Sequence, residues 1–300
     1  MNIPDFSRMP KLNLSAGQGR INTTDDEVFD NVSRNIRRGL SQVRPFDPNP
    51  HNALLVCGGP SLNETEEALV RAHWDGGKVV TVNGAYQWCI DRNIRPSAAI
   101  MLDAREFNAR FLEADVPGCR YLLGSQCHAR AFEICRDRET FIWHACSLGQ
   151  REVDLLNDYY FGRFYPVDIG VTVGIRALTL LRLLGFQNQE IFGLDSCYLD
   201  RQHHAYAQPE NNADQCVEVW LRPEGGDHLA QRFVCAAWHI AQYFDFLEFV
   251  RDRGDKVNLQ VHGSGMIATT LRTGYTLQMA KEQAGCIAGT LATSNPKPPQ

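Results

Sequence analysis

A glycine pair, a proline and a serine end the apolar segment at residues 54–61. Gly58 and Gly59 carry no Cβ, so the backbone there can turn tightly and approach a ligand closely. Pro60 suits the first turn of a helix, and the Ser61 hydroxyl can serve the unpaired N–H groups of that turn. A buried strand that leads through such a turn into a helix binds phosphate in α/β proteins. The alternative is an ordinary tight turn, because the segment lacks the dinucleotide-binding glycine pattern and the P-loop lysine.

Polar residues also follow four later strands that the apolar pattern predicts. Ligands of open α/β sheets bind beyond the carboxyl ends of the strands, where these residues would meet. Each residue alone can act as a cap or a turn, but the set together favours a nucleotide pocket. In chain order the set comprises Asn83, Gly84, Asp103, Arg105, Ser125, Gln126, Asp195 and Ser196.

Residues 170–174 form a second glycine-containing helix entrance, directly before an apolar helical pattern. Backbone N–H groups near Thr172 and Gly174 can bind a second phosphate or a carboxylate, because the N-terminus of a helix favours negative charge. Alternatively, Gly174 only allows this helix to pack closely on the sheet. The pattern leaves both interpretations open.

The polar stretch 198–230 has little periodicity and contains two adjacent histidines. A long irregular excursion within an α/β domain is often a lid or a binding loop. Here His204 and Tyr206 can supply proton transfer or hydrogen bonds to phosphate. Adjacent histidines such as His203 and His204 rarely chelate one ion together, so a zinc site is disfavoured. His239 lies in an aromatic-rich helical pattern, where a histidine is more often a packing residue than a catalytic one.

Short apolar strands alternate with helical patterns through the middle of the chain. This alternation predicts a Rossmann-like α/β fold, with a mainly parallel sheet and helices on both faces. We expect an N-terminal arm at residues 1–50, a Rossmann-like domain at 51–284 with its lid at about 198–230, and a flexible tail at 285–300. The predicted strands are 53–57, 78–82, 98–102, 121–124, 141–144, 189–193 and 257–262. The predicted helices are 25–40, 62–73, 85–92, 106–113, 129–136, 173–184 and 231–253.

The composition is that of a globular protein, with 44% hydrophobic and 22% charged residues. A net charge of −5 gives no overall attraction to nucleic acid or to acidic membranes, so neither is an expected partner. Ten cysteines are scattered without a CxxC pair, which argues against a zinc ribbon and favours a reducing compartment. No signal-peptide pattern and no bilayer-spanning apolar run is present, so we expect a cytoplasmic protein.

Four motifs occur in an order that resembles a specific family. They are GGPSL, then VNGA, then IRPSAAIMLDAR, then TVGIRALTLLRLLGF with IFGLDS, and the resemblance covers about residues 53–268. The family is Rossmann-like and includes the archaeal 6-hydroxymethylpterin diphosphokinases and the flagellin motility accessory factors. The segment HHAYAQPEN is similar to that of phage-borne relatives, which would place the protein in the cytoplasm of a host. The resemblance implies a nucleotide-dependent transferase.

The layout also resembles that of bacterial sialyltransferases, which use a CMP-activated sugar. That resemblance implies nucleotide contacts at the glycine turn and at Asn83, and a phosphate-contacting tyrosine at Tyr206. It places a general-base histidine close to His239. The sialyltransferases have an asparagine where this chain has Asp103, and an aspartate is a poor partner for a phosphate that no cation neutralises.

Asp103 therefore separates two transferase hypotheses. With Asp195 it can hold Mg²⁺ on a triphosphate, while Arg105 stabilises the developing charge, as a diphosphokinase needs. Glycosyl transfer from a nucleotide-activated sugar is the preferred hypothesis, because the lid carries histidine and tyrosine and no lysine. A non-catalytic nucleotide-binding module is a third possibility, since a fold alone establishes no activity.

In the glycosyl-transfer hypothesis, Tyr206 and His204 neutralise the leaving phosphate and His239 deprotonates the acceptor hydroxyl. No cofactor is required there, whereas Mg²⁺ is required by the diphosphokinase hypothesis. The sequence leaves the acceptor open among a sugar, a pterin, a protein hydroxyl and a modified nucleobase. It also leaves the oligomeric state open.

Overall fold

Helices and strands alternate along residues 23–145, 149–211, 214, 216–223 and 230–278, which are the residues that the computed structural model describes. The predicted tail at 285–300 lies outside these residues. The α-helices are α1 (Asp25–Ile36), α2 (Glu66–Trp74), α3 (Ala85–Ile90), α4 (Ala129–Ile134), α5 (Gln150–Tyr160), α6 (Val173–Leu183), α7 (Ala237–Arg253) and α8 (Met266–Thr273). The strands are β1 (Asn49–Val56), β2 (Lys78–Val82), β3 (Ala98–Met101), β4 (Arg120–Gly124), β5 (Thr140–Ala145), β6 (Pro166–Val167), β7 (Phe186–Phe192), β8 (Cys216–Arg222), β9 (Gln231–Ala236), β10 (Asn258–Val261) and β11 (Thr276–Gln278).

The main sheet has eight strands in the order β10-β7-β1-β2-β3-β4-β5-β6, and every adjacent pair is parallel. All carboxyl ends therefore meet at one edge, and the predicted Rossmann-like α/β class is confirmed. The chain progresses outward from β1 to β6 and then returns to the other side of β1 with β7. In open α/β sheets the ligand crevice lies at such a reversal, which here is between β1 and β7.

Both faces of the sheet are covered. Apolar side chains of α6, α7 and α8 pack on one face, together with a small antiparallel sheet of order β11-β8-β9. Helices α1 to α5 pack on the other face, where Tyr86, Tyr121 and Leu156 are fully buried. Because both faces are buried, the central strands are nearly continuous apolar runs, as in Leu54, Leu55 and Val56.

Helix α1 shows how the predicted N-terminal arm relates to the core. Thr24 caps its first turn in a capping box with Glu27, so the helix begins where two backbone donors are satisfied by side chains. Its buried residues Val28, Val32 and Ile36 recur every four positions and pack on the sheet. The helix that was expected within the arm therefore contributes to the hydrophobic core of the main sheet.

Two expected elements differ in the lid region. Residues 231–236, predicted as the start of a helix, form strand β9, and the helix begins only at Ala237. Buried and more exposed side chains alternate along this segment, as they do in a strand. Phe233 and Cys235 point inward, and β9 pairs with β8. Strand β8 lies within the stretch that was expected to be irregular, and its Val219 and Leu221 are buried in the same way.

Two helix starts also differ from expectation. After the glycine turn, Pro60–Leu62 forms a 3₁₀ turn, and α2 begins only at Glu66. The helix predicted at 106–113 is a 3₁₀ helix, Glu106–Leu112, which is long for that type. Among the described residues, no helix combines the length and the apolar character that a membrane crossing requires.

Asn35 tests whether α1 stabilises the sheet. Its side-chain amide donates to the backbone oxygens of Ser125 at 3.0 Å and Cys127 at 2.7 Å, directly after β4. Asn35→Ala leaves two buried acceptors unpaired, so we expect the free energy of unfolding to fall by roughly 1–3 kcal/mol. Urea unfolding measures this, with the exposed neighbour variant Arg34→Ala as control. Equal stability of the two variants would mean that α1 does not support the core.

Candidate functional site

A buried carboxylate joins the ends of β1 and β7. Asp195 accepts hydrogen bonds from the Ser61 amide at 2.8 Å and from the Ser61 hydroxyl at 2.5 Å. Its backbone oxygen accepts from the Met266 amide at the start of α8, 2.8 Å away. A Cβ on Gly59 or Gly265 would collide with the Asp195 carboxylate, so both glycines are required by this close approach.

This contact corrects the role expected for the glycine turn. The Ser61 amide, which was predicted to bind phosphate, is already paired with Asp195, and the Gly59 amide donates to the Gly193 oxygen. Pro60 and Ser61 are buried in the 3₁₀ turn. The Ser61–Asp195 contact therefore fixes the crevice between β1 and β7, and neither the Ser61 amide nor its hydroxyl is free to bind a ligand.

The lid lies on the two glycines at the ends of β1 and β2. A Cβ on Gly58 would lie 2.5 Å from the Tyr206 hydroxyl and 2.7 Å from His204 Cδ2. A Cβ on Gly84 would lie 2.6 Å from Tyr206 Cζ and 2.8 Å from the Tyr206 hydroxyl. The structure thus brings together four of the predicted site residues: Gly58, Gly84, His204 and Tyr206.

Backbone pairing holds the lid at this position. The Ala205 amide donates to the Gly58 oxygen at 2.9 Å, and the Ala205 oxygen accepts from the Asn63 side chain at 3.4 Å. Asn63 is oriented in turn by the Trp88 indole N–H at 3.1 Å. Because Ala205 is fixed on both sides, its neighbours His204 and Tyr206 are directed at the strand ends.

The lid contains a coupled pair of histidines. The Nδ1 atoms of His203 and His204 lie 2.5 Å apart, so one ring donates an N–H and the other accepts it. Burial, and secondarily His203, lowers the pKa of His204 to about 3, so this ring is neutral at pH 7. When His204 is the donor, its Nε2 retains a free lone pair on the ring edge that faces Gly58.

His239 takes a different role from the one expected. It is buried, and its Nδ1 accepts a hydrogen bond from the Ala236 amide at 3.1 Å. Burial, and then His204 and His203, holds its pKa well below the usual value, so the ring is neutral with its proton on Nε2. With its one lone pair engaged, His239 can donate a hydrogen bond but cannot act as the general base.

Asn83 directly follows β2 and has an unusual backbone conformation. It adopts a left-handed conformation with φ of +45°, and its amide donates to the Ile100 oxygen. Its side-chain Oδ1 is buried and has no hydrogen-bond partner. An unpaired buried acceptor is energetically unfavourable, so the side-chain oxygen of Asn83 can accept a hydrogen bond from an N–H or O–H group.

The two aspartates expected to share Mg²⁺ lie at different places. Asp103 follows β3 and is held by the Arg105 guanidinium, with Nη2–Oδ2 at 2.6 Å. Asp195 follows β7, three strands away, which is about 14 Å at the usual strand spacing. Within the described part of the chain, no group of three or more His, Cys, Asp or Glu residues is arranged to hold a metal.

The second helix entrance supports packing more than ligand binding. A Cβ on Gly174 would lie 2.9 Å from Leu194 and 3.3 Å from the Cys57 sulfur. Thr172 Oγ1 accepts from Gln242 Nε2 at 2.8 Å, and Gln242 Oε1 accepts from the Ser196 hydroxyl. This arrangement ties α6 and α7 to the segment after β7.

Sequence reasoning missed several residues around the lid. The Trp238 ring lies against His239 with centroids 3.6 Å apart and the ring planes tilted by 32°, and Tyr198 contacts the same ring edge-on. Arg110 and Glu210 form a bidentate ion pair that joins the Glu106–Leu112 helix to the lid. The only sequence signal for these residues is their type, because their partners are distant along the chain.

A parallel α/β sheet with a polar loop over its strand ends is the architecture of a Rossmann-like protein. The chain belongs to the family described as 6-hydroxymethylpterin diphosphokinase MptE-like, whose model matches residues 26–201. The predicted family is thereby confirmed, and the match begins within helix α1. No curated protein matches the chain.

A solved structure supports the same class. The MAf glycosyltransferase from Magnetospirillum magneticum AMB-1 superimposes with a TM-score of 0.61 at 16% sequence identity. The similarity covers 90% of this chain and 42% of that chain, so this protein spans less than half the length of its neighbour. At this identity the likeness shows the fold.

The buried Asp195 carboxyl group should make the free energy of unfolding depend on pH. Burial raises its pKa to about 6, and the hydrogen bonds from Ser61 offset only part of that increase. The native state therefore binds this proton more tightly than the unfolded state, and stability falls as the pH rises from about 4 to above 6. We expect this component, roughly 2–3 kcal/mol, to vanish in Asp195→Asn, as measured by urea unfolding at pH 4.5 and 7.

Asp195→Ala is the matched comparison. An asparagine can still accept from the Ser61 amide and donate to its hydroxyl, whereas alanine leaves a buried donor unpaired. At pH 7 we expect the alanine variant to be less stable than the asparagine variant by roughly 2–4 kcal/mol. Equal stability of the two variants would show that the Ser61–Asp195 contact does not hold the strand ends.

Proposed function

We propose that this protein transfers a glycosyl group from a nucleotide-activated sugar to an acceptor hydroxyl. The observation that carries the proposal is the placement of the His204 imidazole and the Tyr206 hydroxyl on Gly58 and Gly84. Polar groups of the lid converge there with two strand ends. Because the lid leaves no room for a Cβ on either glycine, the phosphate would lie beside His204 and Tyr206 rather than under them. The name of the similar glycosyltransferase structure supports the same reaction class.

Asn83 would recognise the nucleoside. Its unpaired Oδ1 lies at the end of β2, beside the glycines, and needs a donor such as a ribose hydroxyl or a base N–H. The phosphate would then accept hydrogen bonds from Tyr206, whose pKa burial raises well above its usual value so that the hydroxyl keeps its proton. The donor thus runs along the carboxyl edge of the sheet.

Two histidines have different roles in the proposed reaction: His204 accepts a proton, and His239 donates a hydrogen bond. The acceptor oxygen forms a bond to the anomeric carbon as the bond from that carbon to the phosphate oxygen breaks. The acceptor proton passes to Nε2 of His204, which is neutral and has a free lone pair when its Nδ1–H faces His203. His239 and Tyr206 donate hydrogen bonds to the leaving phosphate, which carries away the bonding electrons.

The second candidate is the Mg-ATP diphosphokinase that the family description favours. In that reaction Asp103 would hold Mg²⁺ on the triphosphate, with Arg105 released to the developing charge. The Arg105–Asp103 ion pair would have to open first, and Asp195 would keep its contact with Ser61. Glycosyl transfer does not require the Arg105–Asp103 ion pair to open, which is why it is the preferred function.

A donor panel tests the proposal. We expect turnover of a UDP-, GDP- or CMP-sugar that persists in excess chelator, measured as release of the free nucleotide. AMP release from ATP that chelator abolishes would instead assign the diphosphokinase. Nucleotide binding without any product would assign a binding module and contradict both transferase functions.

His204 and Tyr206 should make the largest contributions to the reaction rate. We expect His204→Gln and Tyr206→Phe each to lower kcat by about 10²-fold or more, because each loses a group that acts in the transition state. The exposed His51→Gln and the peripheral Tyr165→Phe are matched controls that should leave kcat within about twofold. A His204→Gln enzyme as active as these controls would remove His204 from the mechanism.

The pH profile gives an independent check on His204. Because its pKa is lowered to about 3, the base stays unprotonated throughout pH 5 to 8. We therefore expect kcat to show no acid limb in that range, unlike an enzyme with an unperturbed histidine base. A kcat that falls tenfold between pH 7 and pH 5.5 would show that another group takes the proton.

A further inference from the structure

A second group of polar side chains lies at the same sheet edge, beyond β4 and β5. Gly124 pairs with Trp143 in the parallel ladder, and the Ser125 amide donates to the Trp143 oxygen, so Ser125 and His144 are the next residues in register. Residues in register on neighbouring parallel strands point to the same face. Ser125 and His144 are therefore neighbours on the face that α1 and α5 cover.

Tyr160, at the end of α5, completes this group. Its ring lies 5.1 Å from the His144 ring, and Phe164 contacts His144 edge-on at 5.9 Å. Ser125 and His144 are each only 1% exposed. The Ser125 hydroxyl, both ring nitrogens of His144 and the Tyr160 hydroxyl are buried without a hydrogen-bond partner.

Four unpaired polar atoms in one buried place are energetically unfavourable. Each costs about 1–3 kcal/mol relative to a paired or apolar replacement. Alanine at position 125 would remove the unpaired hydroxyl of Ser125, and phenylalanine at position 160 would remove that of Tyr160. Either residue would avoid part of this cost. A chain that keeps such groups together is typical of a site that a ligand completes.

The three side chains define the chemistry of that ligand. None carries a charge at neutral pH: burial lowers the pKa of His144 to about 4 and raises that of Tyr160 to about 12. A charged ligand would lose its hydration without gaining an opposite charge from these residues. Hydroxyl and imidazole groups both donate and accept, and the Tyr160 and Phe164 rings offer apolar surfaces for a ring to lie against.

We infer that Ser125, His144 and Tyr160 form a binding site for a neutral ring that bears hydroxyl or amide groups. Measured to His144, the site lies about four strand spacings from Ser61, roughly 19 Å along the carboxyl edge, and about three spacings, roughly 14 Å, from Asn83.

Two isolated probes test the site without any donor. N-acetylglucosamine represents a sugar ring and uracil a nucleobase, and saturation-transfer NMR reports which of them binds the wild-type protein. We expect one of them to bind at millimolar concentration, and glucuronate, whose ring carries a carboxylate, to bind more weakly than glucose. Ser125→Ala and Tyr160→Phe should each weaken binding of the active probe by roughly five- to tenfold.

The variants are chosen so that folding does not obscure the result. Each removes an unpaired buried oxygen, so we expect a melting temperature equal to or above that of the wild type. Tyr159→Phe is the matched control, because Tyr159 is 39% exposed, and it should bind the probe as the wild type does.

The outcomes separate this inference from the proposed function. Probe binding that both variants weaken supports the site, even if no nucleotide-sugar is turned over and the transferase function fails. Turnover of a donor without binding of either neutral probe would overturn the site and retain the transferase. Probe affinities unchanged in both variants, or a preference for glucuronate, would also overturn it.

Discussion

The contact between Asp195 and Ser61 is the constraint on which the strand-end edge depends. It places a carboxylate, 3% exposed, against a backbone amide and a hydroxyl, and it links the turn after β1 to the segment after β7. Met266 and Gly265 join the start of α8 to the same residue. Because three segments meet there, the position of Gly58 is fixed before any ligand arrives.

The position of the lid depends on Gly58. Ala205 pairs with Gly58 through the backbone, and this one contact sets where His204 and Tyr206 lie. The side chains at this position are neutral. The His204 imidazole has a lone pair that can accept a proton, the His239 imidazole has an N–H to donate, and Tyr206 has a phenol hydroxyl. Neutral donors in a dry site can stabilise a departing phosphate without an opposing metal. The same neutrality extends to Ser125, His144 and Tyr160 at the far end of the edge.

Local patterns predicted the fold well. The apolar run before Gly58 and the polar residue after each strand are properties of short segments, so the parallel sheet and the glycine turn at the end of β1 could be recognised. The start of α7 was misplaced, because β9 and the helix share apolar residues and only pairing with β8 distinguishes them.

The site was predicted less completely, because partners distant in sequence decide the chemistry. The His239 base was excluded by the Ala236 amide, and the Ser61 amide was claimed by Asp195, 134 positions away. The separation of Asp103 from Asp195 follows from strand order, which no local pattern shows. Ser125 was recognised only as a strand-end residue, since its register with His144 depends on how β4 pairs with β5.

The central claim is that the donor phosphate lies beside Gly58 and Gly84, against the His204 and Tyr206 side chains of the lid. A crystal structure with a bound nucleotide-sugar tests it most directly. The account predicts phosphate oxygens within hydrogen-bonding distance of the Tyr206 hydroxyl, with the nucleoside donating to Asn83 Oδ1. A phosphate bound at Ser61 after displacement of Asp195, or a nucleotide bound away from the lid, would contradict it.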